Sequence, residues 1–141
     1  KGAITGVFSV LVDGDDHNDP VADAIRGALD GHLVLSRSIA DEGRFPAIDL
    51  LRSISRLAAK AWSADERKLV ASLKAMIARF EDTRDLRLMG GYAAGADPDL
   101  DRAVALTPKL YGFCAQSPGE SAAREAFRAL AATLRGEAAS A

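Results

Sequence analysis

The period at which apolar residues recur changes near Arg56, and this change limits the possible folds more than any other feature of the chain. Before it, apolar residues come in short runs separated by turn signals. Ile4–Val12 is dense in β-branched and apolar residues, and with hardly any alternation it reads as a central strand covered on both faces. Asp19-Pro20 reads as an N-cap followed by proline in the first helical turn, with Val21, Ala24, Ile25, Ala28 and Leu29 at helical spacing and Gly31 as the stop. His32–Leu35 is a second short strand, Ser36–Glu42 a short helix ending at Gly43, and Phe45–Ile48 is extended because a residue before proline avoids the helical region. Strand, helix, strand, helix and strand in this order predict an α/β unit with parallel pairing.

After Arg56 the pattern is helical throughout. Ser63 and Glu66 form a capping box, behind which Leu69, Leu73, Met76, Ile77 and Phe80 share one face of a helix expected to reach Leu86–Met89 and stop at Gly90-Gly91. Asp97-Pro98 caps a further helix with Leu100, Val104 and Leu106 facing inward. Ser117–Glu120 reads as another capping box, ahead of a helix with Ala123, Phe127, Leu130 and Leu134 on one side. The fold class is therefore α/β followed by all-α.

The chain has 141 residues, 48% of them apolar, which suffices for one domain or two small packed units. Its 18 basic and 20 acidic residues exclude a polybasic nucleic-acid binder. The single cysteine, Cys114, excludes an internal disulfide framework and a multi-cysteine zinc site, and a reducing compartment fits. No apolar run approaches the ~20 residues of a membrane-spanning helix, and no signal-peptide pattern is present. A start at Lys1, without methionine, reads as a piece of something longer.

Chemistry-bearing residues are few. The acidic loop Asp13–Asp19 does not fit a calcium loop, because His17 and Asn18 occupy its fifth and sixth positions, so no metal is expected there. His17 and His32 lie too far apart in sequence for a helical zinc pair. Cys114 sits in an apolar helical segment and reads as a small core residue. Arg56 closes Ser53-Ile54-Ser55-Arg56; its guanidinium suits phosphate oxygens, but a surface ion pair is the first reading on chemistry alone. Neither a phosphate-loop motif nor a dinucleotide fingerprint is present, and no complete active site can be assembled.

Read in order, KGAITGVFSVLVDGDDHNDPVAD, LDGHLVLSRSIADEGRFPAIDLLRSISR and GADPDLDRAVAL closely resemble the carboxyl-terminal part of the flagellar and type III secretion export ATPases, homologues of the catalytic subunit of rotary ATP synthases. The resemblance covers residues 1 to about 115. It implies that residues 1–60 end a RecA-like nucleotide-binding domain and that residues 61–141 form a C-terminal helical domain, in a parent that works as a homohexamer. That parent is expected to hydrolyse ATP with Mg2+ and to energise protein export at the cytoplasmic face of the membrane. It would meet stalk and regulator proteins, export chaperones and substrates there. By the same resemblance, Arg56 matches the arginine finger that reaches a neighbouring subunit's site. Phe45 matches the aromatic, usually tyrosine, against which adenine packs, with a core aromatic as the alternative. Asp15, Asp16 and Asp19 correspond to a loop that faces the central channel in the rotary homologues, where they would meet a coiled-coil stalk protein or the exported chain, with a solvated loop as the alternative; Arg37 matches the family without an assigned role. The phosphate loop, catalytic glutamate and magnesium aspartate of the family lie upstream of Lys1, so this segment alone is expected to be inactive. The stretch after Ser117 departs most from the pattern. A rotary ATP synthase subunit and a non-catalytic helical adaptor remain as alternatives.

Overall fold

A computed structural model describes residues 2, 4–12, 19–120 and 125–135. The first helix, α1 (Pro20–Ala28), starts as expected: the Asp19 carboxylate accepts from the Ala22 N–H at 2.8 Å, and Pro20 needs no partner for a missing N–H. It is followed by β1 (Gly31–Leu35), α2 (Arg37–Asp41) and β2 (Ile48–Ser55). Gly43, at φ 74°, supplies the left-handed turn after α2.

Two expectations about this half are corrected. Residues 4–12 carry no strand, and Ile4, Val7 and Leu11 are almost fully exposed. A strand exists only through a ladder partner for its N–H and C=O groups, and none of the described residues supplies one. The pairing is also antiparallel: β1 and β2 form a two-stranded ribbon with Gly31 opposite Ser55 and Leu35 opposite Ile48. The α/β class holds; its parallel arrangement does not appear among the described residues.

The ribbon's register slips between His32 and Val34, so β2 carries three more residues than β1 across the paired stretch. Asp49 and Ser53 satisfy the polar groups this leaves. Asp49 Oδ1 accepts from the Leu51 and Arg52 N–H groups at 3.0 Å each. Ser53 Oγ accepts from Val34 N–H at 3.0 Å and donates to the Asp49 carbonyl at 2.6 Å. At the other end, Gly31 lies so close to its partner that a Cβ would sit 2.7 Å from the Ile54 carbonyl oxygen.

From residue 58 onward every described element is a helix: α3 (Ala58–Ala61), α4 (Ala64–Asp82), α5 (Arg84–Leu88), α6 (Pro98–Cys114) and α7 (Ala126–Arg135). The Ser63–Glu66 capping box is complete, with both reciprocal bonds present. At the far end α4 stops earlier than expected. Thr83 Oγ1 donates to the Arg79 and Phe80 carbonyls, competing with the backbone ladder, and α5 resumes as a separate turn. Asp97 caps α6 through the Asp99 and Leu100 N–H groups. The buried face of α6 is Leu100, Ala103, Thr107 and Leu110, with Val104 and Leu106 only half-buried. Small Ala103 and Thr107, both with no exposure, occupy the line the larger residues were expected to hold. Ser117–Glu120 is a turn rather than a helix start. The Ser117 N–H reaches the Glu120 carboxylate, but Glu120 N–H bonds the Ser117 carbonyl and not its hydroxyl. Ala123 and the acidic residues Asp13, Asp15 and Asp16 lie outside the described residues, as does His17.

Leu73 and Ile77 of α4 and Leu110 of α6 form the buried core, with Leu130 and Leu134 of α7 against it. Leu50 of β2 packs on the same cluster, and Lys74 Nζ donates to the Ser53 carbonyl at 2.8 Å, so α4 holds the ribbon by an apolar and a polar contact. Trp62 meets Phe127 edge-to-face at 5.6 Å.

Two stability changes follow. Ser63→Ala removes one half of a formed capping box and is expected to lower unfolding free energy by about 1 kcal/mol in urea titration. Thr107→Val is expected to raise it by up to about 1 kcal/mol, because Thr107 Oγ1 is fully buried without a hydrogen-bond partner among the described residues.

Candidate functional site

Phe45 and Arg56 flank opposite ends of the paired ribbon. The paired stretch between them is about 13 Å long, four rises of ~3.3 Å from Gly31 to Leu35, so the two side chains do not converge on one point within this chain. Phe45 is 57% exposed and is not a core aromatic. Its peptide bond to Pro46 is cis. Its carbonyl accepts from the Gln116 N–H, just beyond α6, at 3.0 Å.

Arg56 is exposed at the end of β2. Its N–H donates to the Asp30 carbonyl at 2.7 Å, which fixes the backbone, and its Nη2 donates to the Arg26 carbonyl at 3.3 Å. No carboxylate pairs with it among the described residues, so the ion-pair reading has no partner there. The guanidinium is oriented by a neutral carbonyl, with no carboxylate beside it among the described residues.

The residues around Phe45 form a network that sequence spacing did not reveal. Arg44 donates through Nε and Nη2 to Glu42 Oε2 at 2.9 and 2.7 Å, and Arg84 Nη1 of α5 donates to Glu42 Oε1 at 2.7 Å. The Arg44 guanidinium lies 4.2 Å from the centroid of the Tyr111 ring, a cation–π contact onto α6. Tyr111 Oη donates to Glu81, and its ring meets Phe80 edge-on at 6.4 Å. Arg87 stacks on Phe80 at 3.7 Å and donates to its carbonyl. Burial, then the bond to Glu81, pushes the Tyr111 phenol well above its ordinary range, so it stays a donor. Cys114 is packed beside the core, and burial raises its thiol pKa, as fits a core residue rather than a nucleophile.

Elsewhere, Asp101 ties down the segment between α5 and α6, accepting from Tyr92 Oη at 2.6 Å and from Gly95 N–H at 2.8 Å. Arg79 pairs with Asp97 across that segment, beside a cleft of about 750 Å³ between α4, α6 and α7 that neither Phe45 nor Arg56 lines. Among the described residues no group of His, Cys, Asp or Glu is gathered to hold a metal ion, and no helix is long and apolar enough to cross a membrane.

Residues 1–55 match the ATP synthase alpha/beta family, nucleotide-binding domain, and residues 62–132 match the T3SS EscN ATPase C-terminal domain. The flagellum-specific ATP synthase of Agrobacterium fabrum is 60% identical over 96% of the chain, which spans 28% of that relative's length. The assembled EscN ATPase of the enteropathogenic E. coli type III secretion system superposes with a TM-score of 0.88 at 34% identity, covering 95% of this chain and 33% of EscN. EscN in complex with its central stalk EscO matches at a TM-score of 0.75 and 31% identity, over 82% of this chain and 29% of that one.

The Glu42 bracket makes a pH prediction. The hydrogen bond from Arg84, then that from Arg44, holds the Glu42 carboxyl below its ordinary 4.5. A folded pKa below the unfolded one gives stability that is complete above the unfolded value and is lost as pH falls through the folded one. The stability gap between the parent protein and Glu42→Gln is expected to be full at neutral pH and to close on acidification below about 4.5. Unfolding titrations at a series of pH values read this; a gap independent of pH contradicts it.

Proposed function

Because the chain belongs to the family of the T3SS EscN ATPase C-terminal domain, preceded by a stretch of the ATP synthase alpha/beta nucleotide-binding domain, we propose that it is a carboxyl-terminal part of a hexameric ATPase that drives protein export. In this reading residues 1–60 close the RecA-like domain and residues 61–141 are the helical domain. The parent hydrolyses ATP, with Mg2+ bound by residues outside this chain, to energise export through a flagellar or type III apparatus at the cytoplasmic membrane face. The flagellar form is favoured by the name and the 60% identity of the Agrobacterium relative. EscN is known as an assembled ATPase and in complex with a central stalk, which supports a homohexamer and a stalk partner for this protein too. Regulator proteins, export chaperones and substrates are the further partners of the reading.

The observation that carries the proposal is the state of Arg56. A permanently charged fork at the end of a tethered strand, turned to solvent and without a described carboxylate, is suited to a phosphate group on another molecule. Supplied from a neighbouring subunit, it would neutralise charge developing on the γ-phosphate as the bond to the β-phosphate breaks. Phe45, at the other end of the ribbon, would pack against adenine in its own subunit's site. The separation of the two along β2 agrees with this division, since one serves the chain's own nucleotide and the other its neighbour's.

Arg56→Ala in the intact ATPase is expected to lower kcat by about 10³-fold while the dissociation constant for a non-hydrolysable ATP analogue changes little. Steady-state turnover and equilibrium binding measured on the same preparation test it. Parallel loss of turnover and binding, or unchanged turnover, overturns the arginine-finger assignment.

A further inference from the structure

The loop that bears Phe45 lies between α2 and β2, yet its side chains and carbonyl are held from the helical half. Gln116, beyond α6, holds the Phe45 carbonyl. Tyr111 of α6 lies under the guanidinium of Arg44, the residue next to Phe45. Arg84 of α5 takes the free oxygen of Glu42, whose other oxygen holds Arg44 through two bonds. Tyr111 is itself fixed by Glu81 of α4 and by the ring of Phe80. Three helices thus converge on the backbone and neighbours of one aromatic residue that is itself more than half exposed.

We propose that Arg44 and Tyr111 are positioning residues for base binding: the Tyr111–Arg44–Glu42–Arg84 bracket fixes the face that Phe45 offers to adenine, so that the packing of α5 and α6 sets nucleotide affinity. This rests on the reading of Phe45 as the adenine-packing aromatic. A ring that must meet a planar base loses affinity when its backbone is free to rotate, because the bound geometry then has to be ordered at binding. Arg44 does not touch the base; it acts through the loop. The coupling is reciprocal, so a bound base also favours the α5–α6 arrangement that holds the bracket closed.

The test uses the intact ATPase with four variants: Arg44→Met, Tyr111→Leu, Tyr111→Phe and Phe45→Ala. Arg44→Met keeps the aliphatic length and removes the charge; Tyr111→Leu removes the ring. Each is expected to raise KM for ATP three- to fivefold, the scale of an exposed cation–π contact, with kcat changed less than twofold. Tyr111→Phe keeps the ring face and is expected to restore KM to within twofold of the parent, which a role through the hydroxyl and Glu81 would not predict. A purely structural role would move the thermal midpoint and leave the KM-to-kcat split flat. If Tyr111→Leu fails to fold, Arg44→Met still decides. A raised KM in Phe45→Ala with an unchanged KM in Arg44→Met overturns the bracket and leaves Phe45 its role. An unchanged KM in Phe45→Ala overturns the adenine reading, and the bracket falls with it.

Discussion

A two-stranded ribbon is marginal in water on its own, and the β1–β2 pair persists because α4 lies against it. Leu50 enters the Leu73–Ile77–Leu110 cluster, and Lys74 reaches across to the Ser53 carbonyl. Everything the ribbon presents at its ends, Phe45 at one and Arg56 at the other, is therefore referenced to a helix of the following unit. The α4–α6 contact is built on Leu73 and Ile77 against Leu110, and Ala103 and Thr107 of α6 are fully enclosed. The position of Phe45 and Arg56 is a property of that contact as much as of the strands.

What was legible in the sequence was local. Asp19-Pro20, Ser63 with Glu66, and Asp97-Pro98 each act within one helical turn, and each forms the cap its spacing predicts. The change from strands to helices after Arg56 was equally visible, because hydrophobic period is a property of a short window. The failures were of two kinds. At Thr83 and Ser117 a local rule met a competing local bond and lost. At Ile4–Val12, and in the direction of pairing, the outcome depended on which strand lies alongside, and no window along the chain contains that information. The same limit hid the Glu42–Arg84 and Arg44–Tyr111 contacts, which join residues 42 and 67 positions apart.

The candidate site was partly legible for a different reason. Phe45 and Arg56 were singled out by motif resemblance, and the geometry then supplied what a motif does not: an exposed ring braced from behind, and a guanidinium facing solvent and held by a backbone carbonyl. Arg44, Glu42, Arg84 and Tyr111 carry no motif. Each is an ordinary surface-type residue until the fold assembles them, and their order in sequence gives no sign that they share a purpose.

Gly31 gives the ribbon a further consequence. The contact it permits with the Ile54 carbonyl is closer than any side chain would allow, and Ile54 lies two residues before Arg56. Adding a single carbon there would meet the Ile54 carbonyl oxygen and the Ser55 Cα, so the strand end would have to shift. A group absent from residue 31 thus lets β1 close on the end of β2, the stretch of backbone that leads into Arg56.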